Sequence, residues 1–91
     1  SKVSTSQFAS GSIIEGEVVQ SVLSRNIHVH KDSVVKNSIL FPRVVIGQGA
    51  QVEYAILDKG VEVADGVVIR GTAEHPVVVK KGEKVTEDIH S

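Results

Sequence analysis

A seventeen-residue period runs through this chain and decides its architecture before any local propensity does. Cut at Ser12, Val29, Ile46 and Val63, it divides into SIIEGEVVQSVLSRNIH, VHKDSVVKNSILFPRVV, IGQGAQVEYAILDKGVE and VADGVVIRGTAEHPVVV. Column 7 reads Val18, Val35, Val52, Ile69. Column 11 reads Val22, Ile39, Ile56, Ala73, and column 16 reads Ile27, Val44, Val61, Val78. Self-similarity at this spacing marks a solenoid, in which each unit buries its inner face against its neighbours. A compact globule of 91 residues would have only a modest core, and stacking escapes that limit.

Within a unit the apolar residues pair at i and i+4, as Ile46 with Ala50, Val52 with Ile56 and Leu57 with Val61. Successive pairs start six, five and six residues apart, so each unit holds three short extended segments joined by tight corners. This predicts an all-β, three-sided parallel β-helix of four to five coils, with like columns forming ladders about 4.8 Å apart. Val and Ile dominate, which suits a pleated surface, and no helical rhythm exceeds a turn. Column 5 (Gly16, Ser33, Ala50, Val67) stays small, as a crowded interior corner requires, and column 10 (Ser21, Ser38, Ala55, Thr72) also stays small. Corners fall at Ser24-Arg25-Asn26, Phe41-Pro42-Arg43 and Asp58-Lys59-Gly60, where Pro42 needs no ladder donor.

The ends depart from the pattern. Residues 1–11 are polar apart from Val3 and Phe8 and read as an incomplete, capping coil. Residues 12–79 are the β-helix. In the fourth unit Glu74 replaces the column of Leu23, Leu40 and Leu57, and Pro76 follows. There the ladder is expected to fail and the chain to leave or loosen the stack, so residues 80–91 read as a polar tail that frays after Val85. The first residue is Ser, which reads as an excised fragment beginning with a cloning remnant.

Ten basic and eleven acidic residues give a formal charge of −1, no electrostatic basis for nucleic acid or an anionic membrane. No apolar run approaches the roughly 20 residues of a membrane span, and no signal peptide is visible. The absence of cysteine removes disulfides and thiolate metal sites and is compatible with a cytoplasmic location.

Tandem six-residue steps of aliphatic and small residues resemble the hexapeptide repeat of left-handed β-helices. The strings GSIIEGEV, VVKNSILFPRVVIGQGAQVEYAILDKGV and GTAEHPVVVKKGE further resemble the C-terminal domain of bacterial glucose-1-phosphate adenylyltransferases, over roughly residues 8–85. ILDKGVEV and HPVVVKKG look most like the auxiliary glycogen-biosynthesis subunit of that group. The left hand is implied by this resemblance, not by the period, since parallel crossovers are normally right-handed. The family joins ATP and glucose 1-phosphate into ADP-glucose and pyrophosphate in a separate N-terminal domain that uses Mg2+. The resemblance implies a non-catalytic domain of an oligomeric, regulated subunit. Its expected partners are that nucleotidyltransferase domain and other subunits, with no catalytic, cofactor or metal site of its own.

Individual residues agree with a scaffold. Gly47, Gly49, Gly60 and Gly66 sit at corners and open no helix, so they are no phosphate loop. His28 and His30 flank the inward Val29 and read as solvated surface histidines. Two imidazoles at i and i+2 can ligate a metal, but no third ligand is apparent, with Glu62 only sharing a column with His28. The alternatives are a free-standing scaffolding β-helix and a hexapeptide-repeat acyltransferase, which would need His28 or His30 as base, a trimer and a long covering loop, and the units show no such insertion. Arg25 and Lys59 share column 14, with Arg43 one column on, so three cations line one corner as a possible phosphate-effector site, Asp58 and Glu74 lying alongside. Phe41 and Tyr54 are the aromatic candidates for an interface.

Overall fold

A computed structural model describes residues 2–4 and 11–90. Phe8 and most of the expected cap lie outside the described residues. There is no helix among the described residues, and none long and apolar enough to cross a membrane. Fifteen short strands, all paired in parallel, build three sheets that wrap a single apolar core.

The six-stranded sheet stacks β1 (Lys2–Ser4), β3 (Glu17–Val19), β6 (Val34–Lys36), β9 (Gln51–Glu53), β12 (Val68–Arg70) and β15 (Ile89–His90). The four-stranded sheet stacks β4 (Val22–Leu23), β7 (Ile39–Leu40), β10 (Ala55–Leu57) and β13 (Val77–Val79). The five-stranded sheet stacks β2 (Ile13–Ile14), β5 (His28–Val29), β8 (Val45–Ile46), β11 (Glu62–Val63) and β14 (Lys84–Val85). The chain visits the five-, six- and four-stranded sheets in turn, which is the three-sided β-solenoid that the repeat predicts. Val18, Val35, Val52 and Ile69 stand in register down one wall, all buried.

Corners turn through left-handed backbone. Gly11, Asn26, Arg43, Gly60 and Gly82 form one such column, with φ between 59° and 85°. Only Gly and Asn enter this region readily, and Arg43, at φ 67°, does so against its Cβ. Gln20, Asn37 and Tyr54 turn a second corner, and Asp32, Gly49 and Gly66 a third.

Three features differ from the seventeen-residue register. First, the inward residues of the four-stranded sheet are column 10 and column 12, not column 11. Ser21, Ser38 and Ala55 are buried, whereas Val22 and Ile39 are 50% and 41% exposed. A strand alternates its faces, so once Leu40 and Leu57 point inward their neighbours Ile39 and Ile56 must point out. Ser is tolerated inside because its hydroxyl bridges coils. Ser38 Oγ donates to Lys36 O at 2.8 Å and accepts from Ala55 N at 3.2 Å, and Ser38 N donates to Ser21 Oγ at 3.1 Å.

Second, the ladder does not fail at Glu74. Ala55 pairs with Val77 and Leu57 with Val79, a step of 22 residues. Residues 72–76 are therefore a five-residue insertion that loops outward, all exposed, closed by reciprocal Thr72 and His75 backbone bonds of 3.2 Å. The stack then resumes: Val85 pairs with Val63 and is buried, and Ile89 pairs with Ile69. The expected departure at Glu74 is a bulge, and residues 84–85 and 89–90 of the expected tail are strands of a further coil. Ala73 leaves the column of Ile56, and Val78, at 65% exposure, takes its place rather than that of Val61.

Third, the first coil is short. Ile13 pairs with His28 and Ile14 with Val29, a step of 15, so Ile14 rather than Ser12 stands in the column of Val29.

Candidate functional site

Seventeen-residue steps bring the corner between the four- and five-stranded sheets into line. Arg43 N donates to Arg25 O at 3.3 Å and Gly60 N to Pro42 O at 3.0 Å, so corner stacks on corner. The side chains thrown outward there enclose a surface cleft of about 330 Å³ lined by Arg25, Asn26, Pro42, Arg43 and Lys59. The three cations that the sequence places along one edge thus meet in one concavity, with Phe41 on the same corner, 37% exposed.

The cleft is electrostatically one-sided. Among the described residues the ion pairs are Glu15 with His28 and Glu53 with Arg70, neither on this corner. The carboxylate of Asp58 is turned back on its own loop, accepting from Lys59 N at 2.7 Å. Glu74, expected alongside, belongs to the loop after Gly71, on a different corner. Two guanidinium groups and an ammonium without a carboxylate partner suit a phosphate-bearing anion, which Arg binds through paired donors and Lys as a point charge.

Tyr54 does not join this group. It is half-buried at the corner between the six- and four-stranded sheets, in left-handed backbone at φ 49°, its carbonyl accepting from Val77 N at 3.0 Å. A surface that the repeat columns do not single out lies on the four-stranded sheet instead. Val22, Ile39, Ile56 and Val78 stand in register across four coils, facing outward. The signal was present in column 11, but it reads as core until the alternation within each strand is known.

The histidines are also rearranged. Glu62 shares the ladder of His28 but Val45 stands between them. The fifteen-residue first step instead sets Glu15 beside the pair, with Oε1 3.2 Å from His28 Nε2. The 72–76 loop leaves from the corner that holds Tyr54 and does not cover the five-stranded sheet that carries His28 and His30, as an acyltransferase lid would.

Comparison with known proteins places this chain in a family. Residues 1–88 match the family model described as GlmU-like, C-terminal hexapeptide. The chain is 38% identical to a glucose-1-phosphate adenylyltransferase of Bacillus cytotoxicus over 88 residues, which is 97% of this chain and 20% of that protein. It is 39% identical to the glycogen biosynthesis protein GlgD of Bacillus subtilis over 82 residues, 90% of this chain and 24% of that protein. A glucose-1-phosphate adenylyltransferase of Teredinibacter turnerae is 34% identical over 83 residues, 90% of this chain and 19% of that protein. The chain thus spans a quarter or less of the length of these relatives.

Proposed function

This chain belongs to the GlmU-like C-terminal hexapeptide family, and on that premise we propose that it is the non-catalytic β-helix domain of a glucose-1-phosphate adenylyltransferase subunit acting in glycogen biosynthesis. The observation that carries this reading is the 38–39% identity, over nine-tenths or more of the chain, to an adenylyltransferase and to GlgD. Nucleotidyl transfer with ATP and Mg2+ belongs to a separate domain of such a subunit. Two surfaces serve the whole enzyme. The cleft of Arg25, Arg43 and Lys59 takes a phosphorylated effector, and the outward stripe of Val22, Ile39, Ile56 and Val78 docks on the nucleotidyltransferase domain. That occupant is favoured because this chain makes up a quarter or less of its relatives, so a far larger body is available to cover an apolar row running across four coils.

The test uses the whole subunit. Arg43→Gly is informative because Gly60 and Gly82 hold the same left-handed corner, so the change removes a cation while relieving the backbone. Combined with Arg25→Ala and Lys59→Ala, it is expected to abolish the response to a sugar bisphosphate with basal turnover unchanged. An intact response would remove the cleft from consideration. The same subunit with Ile39→Ser and Val78→Ser is expected to lose contact between its domains, read as faster proteolytic separation. Loss of self-association alone would assign the stripe to a second copy. Turnover of ATP and glucose 1-phosphate by the 91-residue chain would overturn the non-catalytic reading.

A further inference from the structure

We propose that Glu15, His28 and His30 form a binding site for one divalent transition-metal ion of the zinc class. The site is independent of the effector cleft, on another face. It starts from the alternation of a strand. His28 and His30 lie two residues apart, so both point outward from the five-stranded sheet. Their rings are stacked, with centroids 3.8 Å apart and planes 15° from parallel. The third group comes from the preceding coil. Because the first step is 15 residues, Glu15 stands opposite His30 rather than Asp32.

The ligand atoms of the three side chains lie within 4.8 Å of one another. Around a tetrahedral ion with bonds of about 2.0–2.1 Å, ligand atoms sit roughly 3.3–3.5 Å apart. Closing that difference takes only rotation of side chains that have room to move, Glu15 being 53% and His28 33% exposed. The backbone beneath is already fixed by the ladder. Glu15 N donates to Val29 O at 2.8 Å, His28 N to Val44 O at 3.1 Å and His30 N to Ile46 O at 2.9 Å. Held backbones that present three ligands lower the cost of assembling a site.

The donor set selects the ion. Two imidazoles and one carboxylate suit Zn2+, Co2+, Ni2+ or Cu2+, whereas Ca2+ and Mg2+ prefer all-oxygen shells. Three protein ligands leave a fourth position for water. Without an ion, Glu15 and His28 make one exposed contact of small worth, and nothing in that contact calls for His30. Metal accounts for all three groups, and it would tie the first coil to the second at the end of the stack.

The experiment titrates the chain with Zn2+ alone by calorimetry, and with Co2+ followed by its visible absorption. One ion per chain is expected, with a rise in melting temperature. The Co2+ bands should be those of a four-coordinate site with nitrogen ligands. His28→Ala, His30→Ala and Glu15→Gln should each weaken binding by more than about 100-fold, since loss of even an outer-shell partner costs 10–100-fold. His75→Ala and His90→Ala should leave it unchanged. Circular dichroism of each variant separates ligand loss from misfolding, and a double variant, His28→Gln with His30→Gln, repeats the test with polar side chains. Failure of Zn2+ to saturate, or equal weakening by His75→Ala or His90→Ala, would overturn the proposal.

Discussion

Deleting residues 72–76 should leave the fold standing, while deleting one residue fewer should not. The five residues make a step of 22 where neighbouring coils use 17, so their removal lets Val77 follow Gly71 and still meet Ala55. All five are exposed. What is lost is three hydrogen bonds within the loop, two between the Thr72 and His75 backbones and one from His75 N to Thr72 Oγ1 at 3.0 Å. Each is worth about 0.5–1.5 kcal/mol at most. What is regained is the ordering cost of five residues, about 1–2 kcal/mol each when fully fixed. The bonds come to about 1.5–4.5 kcal/mol and the ordering cost to about 5–10 kcal/mol at full fixation, so the five-residue deletion should be at least as stable as the parent.

Deleting only 72–75 moves every later residue by one. Pro76, with no N–H for Tyr54 O, would meet Ala55, Lys84 would enter the buried place of Val85, and Asp88 that of Ile89. An unpaired charge in an apolar wall costs several kcal/mol, enough to strip the last coil from the stack. Thermal unfolding followed by circular dichroism reads both variants, with about 4–8 °C in melting temperature per kcal/mol for a domain of this size. If the four-residue deletion melted with the parent, or the five-residue deletion fell more than about 10 °C below it, the assigned register would be wrong.

Ser38→Ala should cost about 1–3 kcal/mol, because the buried Ala55 N–H loses the hydroxyl that accepts it; an unchanged urea midpoint would mean that the N–H finds another partner. Gly71→Ala should cost about 1–3 kcal/mol by overpacking, since an added Cβ would sit 2.4 Å from Tyr54 O and 2.8 Å from Val77 N. Its signature is faster hydrogen exchange at the Val77 amide, where the stack resumes after the loop, and protection equal to the parent's would count against the close approach.

The coil, its three sides and most of its core are legible in the chain itself, because a solenoid writes its period directly into the spacing of apolar residues. Val18, Val35, Val52 and Ile69 are a ladder in the sequence before they are one in space. The row of Arg25, Arg43 and Lys59 follows from the same columns, since a corner residue recurs wherever the period recurs. What the sequence could not settle is register wherever the period changes. A strict seventeen-residue cut puts Ala73 beneath Ile56 and Glu15 beside Asp32, whereas hydrogen bonding between coils chooses steps of 22 and 15. A run such as Val77-Val78-Val79 fits either register by composition, and only pairing with Ala55, Ile56 and Leu57 decides which valines face in. The apolar stripe on the four-stranded sheet and the meeting of Glu15 with His28 and His30 depend on those choices. Both join residues from different coils, and the relative phase of two coils is fixed by backbone pairing between them, not by either segment alone.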